Sequence, residues 1–233
     1  VYVAPTFSLP EEESTLTSDG ELQPMTSNAT TMIGADQLNA TGFTGKGMKV
    51  AILDTGIVVD HPNFGALSED KLTESSLTKE GVDAIWNTLN AGQMTSLRNR
   101  SYYNSKLPFI FNYYTRDFDV SHATAKHDHG THVAGITAAN RYVPHYDADG
   151  DLYYDKQELG VTGVAPDAQL VVMKVFGVGG GAYSSDYMAA IEDAIWLNCD
   201  SVNLSLGSGS AGRSYGSKSD QQILDSFRNT DTV

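Results

Sequence analysis

A single cysteine, Cys199, stands in the 233 residues. An internal disulfide is therefore excluded, and so is any metal site built from several thiolates. Basic side chains are also scarce: 15 Lys and Arg face 29 Asp and Glu, a formal net charge of −14. That balance argues against nucleic acid or anionic lipid as the main partner, and it leaves carboxylates to spare for a cation such as calcium. No apolar run approaches the roughly 20 residues of a membrane span. The chain begins at Val1 with no leader-like segment, so a processed or excised piece is expected. Hydrophobic residues nevertheless make up 40 % of the chain, which excludes disorder throughout and suits one large α/β domain.

Residues 1–30 are rich in Glu, Ser, Thr and Pro and read as an extended N-terminal arm; residues 31–233 form the domain. Residues 32–38 carry a helical pattern, and residues 49–54 are a short apolar run that reads as a buried parallel strand ending at Asp54. Val82, Ile85, Trp86 and Leu89 fall at helical spacing within residues 78–90, and residues 109–114 read as a strand. Helix signals resume at Gly130. After an acidic interruption over residues 146–158 come a strand at 169–176, a glycine loop at 177–181, a helix at 185–198 and a strand at 201–206. Ser219 and Gln222 form a capping-box pattern that opens a last helix. Strand, helix and strand in succession imply a parallel sheet with right-handed crossovers.

Two segments invite chemistry. Asp54-Thr55-Gly56 puts a carboxylate at the carboxyl end of a buried strand, where open α/β sheets place their sites. An aspartic-protease reading fails, because two such carboxylates must share a proton and no second Asp-Thr-Gly or Asp-Ser-Gly occurs. His127-Asp128-His129-Gly130-Thr131-His132-Val133-Ala134-Gly135 has three histidines in six residues. A zinc reading lacks a third ligand and the His-Glu-x-x-His pattern. Small residues around a helix-borne histidine suit a group packed close to a reacting centre, oriented by a carboxylate.

Together these segments resemble the subtilisin-like serine proteases. Gly163-Val164-Ala165-Pro166 leading into residues 170–175, and Val202-Asn203-Leu204-Ser205-Leu206-Gly207, are similar to two further blocks of that family in the same order. The resemblance implies a subtilisin-like parallel sheet flanked by helices. It implies Asp54 as orienting carboxylate, His129 as general base and His132 as a structural histidine. Substrate would pair as an added strand between Gly179-Gly180-Gly181 and Ser205-Leu206-Gly207. The nucleophile block and the oxyanion-hole asparagine are absent from residues 1–233, so the sheet is expected to be incomplete at the C-terminus and the chain inactive alone. The expected partners are a protein or peptide substrate and the C-terminal remainder of the protease as a second chain.

The style of residues 106–113 and the long segment between Asp54 and His129 resemble the lactocepin-like cell-envelope proteinases, which implies a secreted or wall-anchored location. The activity implied is a secreted serine endopeptidase; the alternative is a catalytically silent subtilase-like domain used for binding or scaffolding. Residues 147–158 follow the register of a calcium loop, with Asp147, Asp149, Asp151, the Tyr153 carbonyl, Asp155 and Glu158 as ligands, although Leu152 stands where that loop places glycine. A solvated acidic loop is the other reading. Cys199 reads as a small buried residue.

Overall fold

The computed structural model describes residues 6–8, 25–122, 128–146, 149, 152–158 and 161–207. Its centre is a four-stranded parallel sheet of order β3-β6-β2-β8. The strands are β2 (Lys49–Asp54), β3 (Phe109–Asn112), β6 (Gln169–Lys174) and β8 (Ser201–Asn203). Every residue of β3 and β6 is buried, as expected where both faces of a parallel sheet are covered. Successive side chains alternate between two cores. Ala51, Leu53, Phe109, Phe111, Val171 and Met173 enter one, while Ile52, Ile110, Leu170 and Val172 enter the other.

Helix α6 (Ser184–Trp196) covers the first core with Ala189, Ala190 and Ala194, and α5 (His129–Ala138) covers the second with Ala134 and Ala138. Small residues let both helices sit close to the strands. The expected helix over 78–90 is instead two, α3 (Lys79–Ile85) and α4 (Asn90–Met94). The break has a tertiary cause. Asp193 of α6 accepts the Asn90 and Ala91 backbone N–H groups at 2.6 and 2.8 Å and so caps a new helix there. Its carboxylate also accepts from the Tyr113 hydroxyl at 2.7 Å.

The N-terminal region departs from a simple arm. Helix α1 (Met25–Met32) is followed by α2 (Ala35–Ala40), with Gly34 at φ 74° turning the chain between them. Thr6–Ser8 form a strand, β1, paired antiparallel with β7 (Gly181–Tyr183). The acidic interruption is an antiparallel hairpin of β4 (Tyr142–Tyr146) and β5 (Leu152–Glu158). The expected helix from Ser219 lies outside the described residues.

Candidate active site

The carboxyl end of β2 delivers Asp54 into the interior, where it is 1 % exposed. The carboxylate accepts the Thr55 backbone N–H at 2.7 Å. Seventy-five residues later, His129 opens α5, and its Nδ1 lies 2.9 and 3.0 Å from the two Asp54 oxygens. A carboxylate in that position selects the tautomer with hydrogen on Nδ1, leaving Nε2 as the basic atom, and it stabilises the imidazolium formed when Nε2 takes a proton. The His129 side chain is 14 % exposed, so the pair is shielded yet reachable at its outer edge.

The surrounding Asp-Thr-Gly and His-Gly-Thr residues hold this geometry. Thr55 Oγ1 accepts the Gly130 N–H at 2.9 Å, and Thr131 Oγ1 accepts the Val58 N–H at 3.0 Å. A side chain at Gly130 would put its Cβ 2.2 Å from the Gly56 carbonyl oxygen. Gly56 itself has φ 98°, and a Cβ there would meet the Val120 carbonyl at 2.0 Å. The bare Cα of Gly130 thus permits the approach of helix to strand end that closes the Asp–His distance, while Gly56 leaves room for the backbone at Val120. Sequence reading did not single out the two threonine hydroxyls, although both stand inside the quoted motifs.

Strand order places the residues expected to pair with substrate. β2 lies between β6 and β8, so the segments leaving β6 and β8 pass on the two sides of Asp54. After β6, Gly179 and Gly180 form a turn, with the Gly180 N–H donating to Gly177 O at 3.0 Å, and Gly181 begins β7. After β8, whose strand ends at Asn203 rather than 206, come Ser205, Leu206 and Gly207. Ser205 Oγ donates to Asn203 Oδ1 at 2.9 Å. His132 is exposed, and His127 lies outside the described residues. Among the described residues no group of three His, Cys, Asp or Glu could hold a metal ion. Burial pushes the Cys199 thiol up to about 12, which makes it unreactive.

Of the expected calcium ligands, Asp147 and Asp151 lie outside the described residues, and Asp149 is exposed in the turn of the hairpin. Tyr153, Asp155 and Glu158 belong to β5.

Comparison with known proteins follows the same lines. The model of the subtilase family of peptidases matches residues 45–231. The chain is 36 % identical over 171 residues to the PI-type proteinase of Lactococcus lactis subsp. cremoris, covering 72 % of this chain and 8 % of that protein. It is 30 % identical over 206 residues to the minor extracellular protease Vpr of Bacillus subtilis (strain 168), covering 87 % of this chain and 19 % of Vpr. It is also 30 % identical over 179 residues to the major intracellular serine protease of the same organism, covering 76 % of this chain and 39 % of that enzyme. The chain therefore spans a small fraction of the length of these relatives.

Proposed function

Because this chain belongs to the subtilase family of serine peptidases, we propose that the full-length protein hydrolyses peptide bonds through an acyl-enzyme and that residues 1–233 supply two of its three triad members. The buried Asp54–His129 pair at 2.9 Å carries this reading. His129 Nε2 takes the proton of a serine hydroxyl as that oxygen attacks the substrate carbonyl, then returns it to the leaving amine. The serine and the oxyanion-hole donors come from outside residues 1–233, either further along the same polypeptide or from a second chain held noncovalently.

Substrate lies extended in the cleft beside Asp54, with Gly181–Tyr183 on one side and Ser205-Leu206-Gly207 on the other. The pairing of β1 with β7 supports this, since it shows that this edge accepts an antiparallel strand through its backbone. Gly179 and Gly180 shape the turn that presents the edge. Secretion is part of the proposal: it rests on the resemblance in the sequence and on one relative named as extracellular, while another is named as intracellular. Among the described residues no helix is long and apolar enough to cross a membrane.

A serine-directed fluorophosphonate probe tests the activity. The full-length protein should label on one serine outside residues 1–233, and His129→Ala should abolish the labelling. A wild-type protein that binds peptides but takes no label would favour the other reading, a silent binding domain.

A further inference from the structure

Lys174 closes β6 and stands in register with Asp54, the last residue of β2. It is 9 % exposed, and its ammonium donates to the backbone carbonyl of Ser121. That carbonyl belongs to residues 117–122, a segment tied to the ends of three neighbouring strands. From β3, the Asn112 side-chain amide donates to Asp119 O at 2.8 Å. From β6 comes the Lys174 ammonium. From just beyond β2, the Ile57 N–H donates to the Val120 carbonyl at 2.8 Å. Within the segment, the Ser121 N–H and hydroxyl donate to Asp119 Oδ1 at 2.9 and 2.5 Å, which fixes the bend that presents the Ser121 carbonyl. A buried charge held by a backbone carbonyl is a costly way to fill space, and an unbranched apolar side chain would fill it without that cost. The ammonium therefore calls for a role other than packing.

Contacts lead from that ammonium to the reacting pair. Gly56 lies against the segment: a Cβ there would meet the Val120 carbonyl oxygen at 2.0 Å and Lys174 Cδ at 3.0 Å. On its other side, the Gly56 carbonyl oxygen lies 2.2 Å from where a Cβ of Gly130 would stand. The Gly56 peptide is thus held between residues 120–121 and the first turn of α5, which His129 opens. Without the Lys174 ammonium, the Ser121 carbonyl is released, and the turn at Gly56 and Ile57 gains room to move away from α5. Reacting groups tolerate little of that, since a misplacement of about 1 Å costs on the order of 10²-fold. From this chain of contacts we propose that Lys174 is a positioning residue for the reaction, holding residues 120–121 on the Gly56–Ile57 turn so that Asp54 stays within hydrogen-bond reach of His129 Nδ1.

This inference rests on the proposed peptidase activity and adds a residue to its machinery. The test uses the full-length protein. Lys174→Met should lower kcat for peptide hydrolysis about 10- to 100-fold and leave KM within about twofold. Lys174→Arg, which still donates to the Ser121 carbonyl, should recover most of the loss. Asn112→Asp removes the second side-chain donor to the segment but keeps the volume and the acceptor for the Tyr114 and Thr115 N–H groups. It should show the same selective fall in kcat, and it carries the test where Lys174→Met does not fold. Lys71→Met, which removes a lysine paired instead with Asp167, should keep the wild-type kcat. If the Lys174 and Asn112 variants keep kcat within about twofold of wild type, raise KM instead, or gain nothing from arginine at 174, Lys174 only packs the sheet and the proposal is wrong. Should the wild type neither hydrolyse peptides nor take the fluorophosphonate label, the proposed activity fails instead, and the positioning is read from hydrogen exchange by mass spectrometry. Faster exchange at residues 55–58 and 129–132 in Lys174→Met supports it; unchanged protection there overturns it.

Discussion

At the level of single residues, the Asp54–His129 contact depends on chemical identity more than on shape. Asp54→Asn keeps the volume but presents an N–H or a neutral oxygen to Nδ1, which disturbs the tautomer and removes the charge that stabilises the imidazolium. Peptide hydrolysis by the full-length protein should fall about 10⁴-fold in kcat, with far less effect on KM. Steady-state kinetics checks this, and a fall below tenfold would remove Asp54 from the proposed role. Lys106 offers a second test. Its ammonium is fully buried and donates to the Pro166 and Ala168 carbonyls at 2.7 Å each. Burial pulls its pKa down from 10.5 to about 7. Between those values the unfolded chain holds a proton that the folded one has released, so stability contributed at this site rises with pH across the window. Below about 7 both states are protonated and the cost of burying the charge is felt in full. The unfolding free energy of wild type relative to Lys106→Met should therefore rise as pH increases through this window. A flat difference in urea unfolding across the window would contradict it.

Among secondary-structure elements, the join between α4 and α6 rests on one side chain. Asp193 is fully buried and serves three donors, two backbone N–H groups of α4 and the Tyr113 hydroxyl. Burial raises its pKa, against the opposing effect of those donors. Asp193→Ala leaves three donors without their acceptor and should destabilise the fold by at least about 2 kcal/mol. Denaturant unfolding reads this directly. The patterned sequence at 78–90 looked like one helix because Val82, Ile85, Trp86 and Leu89 keep helical spacing. The cap that divides it comes from a residue about a hundred positions away, and no local pattern records it. The hairpin of β4 and β5 is a similar case, with its pairing hidden beneath acidic composition. Calcium binding by residues 147–158 is a proposal. Calorimetric titration of calcium into the full-length protein should show binding that Asp149→Ala weakens; identical isotherms would discard that site.

For the molecule as a whole, β1 occupies the edge proposed for substrate, so the N-terminal segment would compete with substrate for it. A peptide that pairs with Gly181–Tyr183 must first displace β1, so its apparent affinity is lowered by the fraction of molecules in which the edge is taken. Deleting residues 1–24 from the full-length protein should lower KM for extended peptides and leave kcat unchanged. An unaltered KM would mean that β1 and substrate do not share the edge. The proposed division of the active site between residues 1–233 and the rest of the protein has its own check. Intact mass spectrometry of a fluorophosphonate-labelled preparation distinguishes one continuous chain from two associated pieces, and residues 1–233 should carry no label in either case.

The sequence alone determined the central strands and the two motifs that carry Asp54 and His129. β2 and β6 are apolar runs buried on both faces, so composition and length identify them without knowledge of their neighbours. Asp54-Thr55-Gly56 and His129-Gly130-Thr131 are each legible within a few residues, and the roles proposed for them come from resemblance. What the tertiary structure decided was everything that needs two distant segments to meet. The 2.9 Å contact between Asp54 and His129 exists because glycine at 130 lets α5 approach the end of β2. The strand at Gly181–Tyr183 reads as a flexible glycine loop until β1 supplies its hydrogen-bond partner. Tyr114 and Tyr183 are ordinary aromatics until the sheet order and a bare Gly177 backbone bring their rings together. Burial and local pattern are properties of a short window of chain, whereas strand pairing, capping across elements and ring stacking depend on which partner the fold delivers.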